Sequence, residues 1–182
     1  TFISSNLATS LAIYGRKTII VDLDLRKRSL SALAGQPKKG MVDYLSSATD
    51  NWEELVVHDF GGNSLDMIPV GKMPPNPAEL LGDARLTKLV EELKQQYDYI
   101  FLDCPPIEIV TDSDIIAPNA DITIFVVRVG LFTRAMLPQV ERYYQDKRYN
   151  NMAILINGSE TSGRYGYKYG YKYGYRYGYS SA

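Results

Sequence analysis

The chain has 182 residues, 45% apolar and 23% charged, and its 20 Lys plus Arg against 21 Asp plus Glu give a net charge of −1. That length sets an expectation of one folded domain with an ample core, and the balanced charge argues neither for nucleic acid nor for a membrane surface as partner. The single cysteine, Cys104, excludes an internal disulfide framework and points to a reducing, cytoplasmic setting, while the longest apolar run, Ile122 to Val127, falls far short of the ~18 residues that span a bilayer.

Along the chain, helix and strand patterns alternate. Ile3, Leu7, Leu11 and Tyr14 recur at helical spacing, and Gly15 comes next in the place of a C-cap. Thr18 to Asp22 is a short β-branched run that predicts a buried strand, and Leu65 to Val70 predicts another. Leu86, Leu89, Val90 and Leu93 mark one amphipathic helix with Pro77 near its start. Tyr99 to Asp103 and Ile122 to Val127 have strand length, Met136, Val140 and Tyr143 suggest a further helix, and Met152 to Asn157 is the last strand. Strands separated by helices predict an α/β fold, a mostly parallel sheet with helices on both faces.

The composition changes near the C-terminus. Residues 1–158 read as the folded domain and 159–182 as a flexible tail, entered through the small polar linker Ser159 to Gly163. Eight of the 15 tyrosines lie in the tail: Tyr165, Tyr167, Tyr169, Tyr171, Tyr173, Tyr175, Tyr177 and Tyr179. They form a four-residue repeat of a basic residue, Tyr, Gly and Tyr. Residues 163–182 hold Arg164, Lys168, Lys172 and Arg176 and no acid, a charge of +4 that leaves the remainder of the chain at −5. Glycine every fourth residue opposes helix, and no aliphatic residue can seed a core, so disorder is expected.

Three acids stand where the chemistry of such a fold is placed. Asp22 and Asp24 end the run Ile19-Ile20-Val21-Asp22-Leu23-Asp24, and Asp103 ends Ile100-Phe101-Leu102-Asp103. Ligands of open α/β sheets sit beyond the carboxyl ends of the strands. Converging carboxylates there suit a hard cation such as Mg²⁺, which takes oxygen ligands and keeps waters, and a magnesium site at a sheet edge commonly serves phosphoryl transfer. Each acid alone could equally be a strand-terminal residue that caps the next helix.

The arrangement resembles the deviant-Walker P-loop NTPases, the class of ParA and MinD. Within it, the bacterial tyrosine kinases of capsule and exopolysaccharide co-polymerases are the nearest match. Val21-Asp22-Leu23-Asp24-Leu25-Arg26 is similar to the family's D-x-D-x-R motif, and Tyr97 to Pro106, with its ending Asp103-Cys104-Pro105-Pro106, to the Walker B segment. Pro75-Asn76-Pro77-Ala78-Glu79-Leu80-Leu81 matches the P-N-P-x-E-L-L stretch, and Gly40-Met41-Val42-Asp43-Tyr44-Leu45 resembles the short helix that precedes it. In one respect the chain departs from the family: the phosphate loop G-x-x-G-x-G-K-[ST] is absent. Thr1 to Ala8 resembles the segment just after the loop's lysine, so the loop and the strand feeding it are expected ahead of Thr1. Without them, this chain alone is expected neither to fold well nor to catalyse.

The resemblance implies ATP and Mg²⁺ as cofactors. Thr1 would bind Mg²⁺ directly, Asp24 and Asp103 would hold it through water, and Asp22 would orient or deprotonate a tyrosine hydroxyl. Arg26 is either a phosphate contact or half of a structural ion pair. Asn157 occupies the position where relatives contact adenine, or simply forms a turn with Gly158. The tail tyrosines would be phosphoacceptors, modified in trans within a ring-like homo-oligomer. A membrane-embedded co-polymerase, fused or separate, and a cognate tyrosine phosphatase are the other implied partners, with the domain at the inner face of the bacterial cell membrane. Eight phosphates would add roughly −12 to −16 to the tail, enough to repel neighbouring copies.

Other features read more plainly. His58 is expected on the surface without a role, Cys104 as a packed side chain, and Lys38 and Lys39 in a solvated loop. Trp52 packs a short helix, and Arg128 and Arg134 either line the nucleotide pocket or are surface charge. Two further functions are compatible with parts of the sequence. One is a ParA- or MinD-type ATPase switch, in which water is the nucleophile. The other is a protein whose basic aromatic tail binds single-stranded nucleic acid. The tyrosine tail disfavours the first, and the strand-terminal acids disfavour the second.

Overall fold

The computed structural model describes residues 1–106 and 112–159; the eight tail tyrosines lie outside them. The elements run in the order α1 (Phe2–Ile13), β1 (Thr18–Asp22), α2 (Ser29–Leu33), α3 (Met41–Leu45), β2 (Leu65–Ile68), α4 (Pro77–Leu81), α5 (Ala84–Leu93), β3 (Tyr99–Asp103), α6 (Asp112–Ile116), β4 (Ile124–Arg128), α7 (Leu137–Gln145) and β5 (Ala153–Asn157).

The β-branched run Thr18 to Asp22 becomes the central strand because every one of its residues is apolar or can be satisfied when buried. All five are buried. β1 pairs in parallel with β2 on one side and β3 on the other, giving the order β2-β1-β3. Alternate side chains feed two cores, as the pleat requires. Ile19 and Val21 pack with Leu86, Leu89, Val90 and Leu93 of α5. Ile20 packs on the opposite face with Ala8 and Ala12 of α1 and with Leu65 and Met67 of β2. Helices therefore cover both faces, as the alternating pattern predicts. At roughly 1.5–3 kcal/mol for each large apolar side chain taken out of water, the two clusters account for the main cohesion of this sheet.

Helix α1 stops where Gly15 predicts. Gly15 has a left-handed φ of +81°. Its N–H donates to Ala12 O at 2.9 Å and the N–H of Arg16 to Leu11 O at 3.1 Å, the paired bonds of a Schellman motif.

Boundaries differ from the sequence expectation at four places, the smallest at β5, which begins at Ala153 and not at Met152. β2 ends at Ile68 and not at Val70, because Pro69 has no N–H to continue the ladder. The freed carbonyls of Pro69 and Val70 instead accept from the N–H groups of Met41 (2.7 Å) and Val42 (3.0 Å), which seats α3 against the end of β2. The single helix expected after Pro77 is two, α4 and α5. Asp83 starts the second as its N-cap, accepting from the N–H of Arg85 at 2.8 Å. β4 begins at Ile124, two residues later than expected, and Ile122 is 63% exposed.

The strands also divide differently. β4 and β5 pair in parallel with each other, from Ile124 opposite Ala153 to Arg128 opposite Asn157. They form a two-stranded sheet separate from β2-β1-β3. Among the described residues, β3 pairs only with β1, and β4 only with β5. Helix α7 meets this small sheet through its Tyr143, whose ring centroid lies 6.5 Å from that of Phe125 and 5.5 Å from that of Tyr149. Asp114 of α6 ties the region to the large sheet's side of the molecule by accepting from Arg148 and from the Tyr149 hydroxyl at 2.6 Å. Among the described residues no helix is long and apolar enough to cross a membrane.

Candidate active site

Parallel pairing brings the strand-terminal acids together. Asp22 and Asp103 are register partners at the carboxyl ends of adjacent strands, and Asp24 lies two residues beyond β1. All three are buried, at 0%, 3% and 6% exposure for Asp22, Asp103 and Asp24. The first residues of the chain reach the same place. Thr1 Oγ1 donates to Asp103 Oδ2 at 2.8 Å, and Ser4 Oγ donates to Asp103 Oδ1 at 2.6 Å. Residues three apart share one helix face, so the start of α1 presents both hydroxyls to one carboxylate.

Asp22 is held by two residues. Its Oδ2 accepts from the N–H (2.8 Å) and the hydroxyl (2.6 Å) of Ser31, and its Oδ1 accepts from the N–H of Asp24 at 3.2 Å. Ser31 Oγ in turn accepts from the N–H of Val70 at 2.9 Å. One buried hydroxyl thus links the ends of β1 and β2 and the helix α2. Burial pushes the Asp22 carboxyl up to about 6; the Ser31 bonds oppose that rise, and the charge of Asp103 adds to it.

Asp24 turns the chain. Its Oδ1 accepts from the N–H groups of Arg26 (3.3 Å) and Lys27 (3.1 Å), an Asx-type turn. Its Oδ2 takes no hydrogen bond among the described residues. Arg26 is committed elsewhere: its Nε and a terminal nitrogen fork onto the two oxygens of Asp112 at 2.9 and 3.1 Å. Asp112 is 1% exposed, so of the two roles expected for Arg26 this geometry is that of the ion pair. Asn157 ends β5, in the other sheet, half-buried beside Gly158, and its carbonyl accepts from the N–H of Val129 at 2.9 Å.

The oxygen set suits a hard cation. A hydroxyl and carboxylates are the donors Mg²⁺ takes, and Mg²⁺ ordinarily keeps several waters. Among the described residues no group of three or more His, Cys, Asp or Glu side chains is spaced to hold a metal ion. An ion bound by Thr1, Asp24 and Asp103 would therefore lean on water and phosphate oxygens.

Sequence reasoning misses Ser4, Ser31 and Asp112. Ser4 is accessible in principle, because it lies three residues after Thr1 on a helical pattern. Ser31 carries no signal: nine residues and a turn separate it from Asp22. Burial, and after it the neighbouring Asp103 charge, push the Cys104 thiol up to about 12, and its Sγ lies 3.5 Å from Leu102 O. Trp52 is buried, with its indole N–H on Glu92 Oε2 at 2.8 Å. His58 is exposed and pairs with Asp66 at 3.1 Å. Arg128 is exposed at the end of β4.

Comparison with known proteins agrees with this architecture. A family profile described as an AAA domain matches residues 1–146. Tyrosine-protein kinase CpsD of Streptococcus agalactiae serotype III is 35% identical over 166 residues, covering 90% of this chain and 71% of CpsD. The putative tyrosine-protein kinase EpsB of Ralstonia nicotianae is 35% identical over 91% of this chain, which spans only 22% of EpsB. Among solved structures, the kinase domain of Escherichia coli tyrosine kinase ETK superimposes with a TM-score of 0.76 at 31% identity, covering 91% of this chain and 66% of that one. The paired strand-end acids, the parallel α/β frame and these likenesses agree: the chain belongs to the bacterial tyrosine-kinase family, built on the nucleotide-binding P-loop NTPase fold.

Proposed function

We propose that residues 1–158 form the catalytic domain of an ATP-dependent protein tyrosine kinase whose substrate is the tyrosine-rich stretch 159–182 of another copy. The observation that carries this reading is the register pairing of Asp22 with Asp103 beside the hydroxyl of Thr1, in a chain that ends in eight closely spaced tyrosines.

The roles divide by geometry. Thr1, Asp24 and Asp103 would hold Mg²⁺, which when bound neutralises phosphate charge during transfer. Asp24 Oδ2 has the capacity for this, since its other oxygen already serves the turn. Asp22 orients the attacking phenol. Oδ2 of Asp22 is saturated by Ser31, so the phenol meets Oδ1. A free tyrosine ionises near pH 10, and a carboxylate shifted toward neutrality is a better proton acceptor than an ordinary one. Arg26 holds α6 against the strand ends through Asp112, and Asn157 would contact adenine. A phosphate loop of the family's kind at the N-terminus of α1 would cradle the phosphates there.

The same reading puts the protein at the inner face of the bacterial membrane. There it works as a ring-like homo-oligomer with a membrane-embedded co-polymerase, its tail reset by a tyrosine phosphatase, in control of capsular or exopolysaccharide synthesis and export. The test uses the full-length protein with Mg²⁺ and ATP, and phosphotyrosine is mapped by mass spectrometry. Phosphate on Tyr165 to Tyr179 that disappears in Asp22→Asn is the expected result. ATP hydrolysis with an unmodified tail would replace the kinase by a MinD-type ATPase.

A further inference from the structure

Resting on the kinase reading above, we infer that Tyr14 is a second phosphoacceptor site, modified in trans by another copy of the chain. Two independent observations meet at this residue. The first is chemical. Tyr14-Gly15-Arg16-Lys17 has the pattern Tyr-Gly-X-basic. The pattern recurs at Tyr165-Gly166-Tyr167-Lys168, Tyr169-Gly170-Tyr171-Lys172 and Tyr173-Gly174-Tyr175-Arg176. The remaining Tyr-Gly pair, Tyr177-Gly178, has Ser180 in the basic position. An active site that accepts the tail units meets in Tyr14 the same phenol, the same small neighbour and a cation at the same offset.

The second observation is structural. Tyr14 is 85% exposed, the most exposed large hydrophobic or aromatic side chain among the described residues. Gly15, Arg16 and Lys17 are exposed as well. The four residues form the connection between α1 and β1, outside any helix or strand. No other tyrosine of the domain combines this exposure with the Tyr-Gly-X-basic pattern. Tyr44 and Tyr149 are 1% and 5% exposed. The Tyr97 and Tyr149 hydroxyls are bound to Asp66 and Asp114 at 2.7 and 2.6 Å. Tyr144 is 65% exposed but lies within α7 and has no glycine after it. Tyr99 is 44% exposed but sits in β3 and is followed by Ile100, outside the Tyr-Gly pattern.

Geometry requires a second copy. Thr1 touches Asp103 at the active end of the sheet, and Tyr14 closes the other end of α1. At 1.5 Å per residue, the helix separates them by roughly 20 Å. A residue in the Schellman turn of a packed helix cannot fold back over that distance. The step is an ordinary phosphoryl transfer. The Tyr14 phenol oxygen bonds to the γ-phosphorus of ATP, the bond from that phosphorus to the β–γ bridging oxygen breaks, ADP leaves, and the phenol proton passes to Asp22 of the acting copy. The product carries about −1.5 to −2 at neutral pH. That charge is disfavoured at a helix C-terminus, and Arg16 and Lys17 offset it.

The experiment mixes two forms of the full-length protein. One is wild type. The other is a mass-tagged acceptor carrying Asp24→Asn, unable to phosphorylate itself. After incubation with Mg²⁺ and ATP, phosphopeptides of the tagged acceptor are mapped. Phosphate on Tyr14 and on the acceptor's tail, both absent when wild type is omitted, is expected. Lys17→Glu in the acceptor should deplete the Tyr14 signal with the tail signal unchanged, and Tyr14→Phe should remove it alone. A phosphorylated tail beside an unmodified Tyr14 overturns the inference and leaves the kinase reading standing. An unmodified tail and Tyr14 together overturn both. Phosphate on Tyr14 of the acceptor incubated alone also overturns the inference.

Discussion

Ser31 donates both its N–H and its hydroxyl to the same oxygen of Asp22, at 2.8 and 2.6 Å, while its own Oγ accepts the N–H of Val70. Ser31→Ala removes two buried hydrogen bonds at once and strands the Val70 amide in an apolar setting. A buried unsatisfied donor costs about 1–3 kcal/mol. We expect urea unfolding of the variant to show a loss of about 2 kcal/mol, with Ser31→Thr recovering most of it. A loss below ~0.5 kcal/mol, the low end for a single hydrogen bond, would mean that water replaces the hydroxyl.

Asp22 itself should make stability fall as the solution becomes less acidic. Its carboxyl is raised from 3.8 to about 6 by burial. Between those values the folded state binds the proton that the unfolded chain has lost. The stabilisation is therefore complete below about pH 4 and is lost as pH rises through 6. The shift corresponds to a penalty on the order of 2–3 kcal/mol at neutral pH. Asp22→Asn removes the charge, so in metal-free buffer its melting temperature at about pH 7.5 should exceed that of the wild type, with the gap closing below about pH 4. Parallel melting curves at both pH values would refute the buried-charge account.

Arg26 and Asp112 are best probed as a pair. Removing the guanidinium with Arg26→Ala leaves the Asp112 carboxylate, 1% exposed, without its partner, whereas the double variant Arg26→Ala/Asp112→Asn leaves no charge behind. The double variant should melt at a higher temperature than the single one. Equal melting temperatures would show that Asp112 finds another cation.

Gly40 has no room for a side chain. A Cβ there would lie 2.1 Å from Pro69 O and 2.5 Å from the N of Gly71. Its φ of 175° is extended backbone open to any residue, so the cost is steric alone. The atoms in the way are backbone at the junction of α3 and β2, which cannot rotate aside. Gly40→Ala should cost about 3 kcal/mol or more, read from chemical denaturation, with Gly35→Ala as a comparison in open space but at a left-handed φ of +77°.

Much of the fold is legible in the sequence because its signals are local. A β-branched run with no polar interruption before its last residue reads as a buried strand, and Thr18 to Asp22 is one. Glycine at the close of a helical pattern marks the end of α1. The amphipathic stripe at Leu86, Leu89, Val90 and Leu93 appears in full on α5. The misplaced boundaries at β2 and α5 have local causes too: Pro69 ends β2 by lacking an N–H, and Asp83 starts a helix by capping it.

What the sequence determined by itself is the identity and order of the chemical groups: acids after apolar strands, a P-N-P-x-E-L-L stretch, and a tail of tyrosines spaced by glycine. These depend on the near neighbours of each residue along the chain. Only the tertiary structure decided which acids meet. Parallel register sets Asp22 beside Asp103, with β2 and the four helices α2 to α5 between them in the chain, and α2 brings Ser31 onto Asp22. The same folding turns Arg26 toward Asp112 and leaves Tyr14 outside the core. Such pairings depend on strand order and helix packing, which are set by the burial of two whole hydrophobic clusters and cannot be read from any one segment.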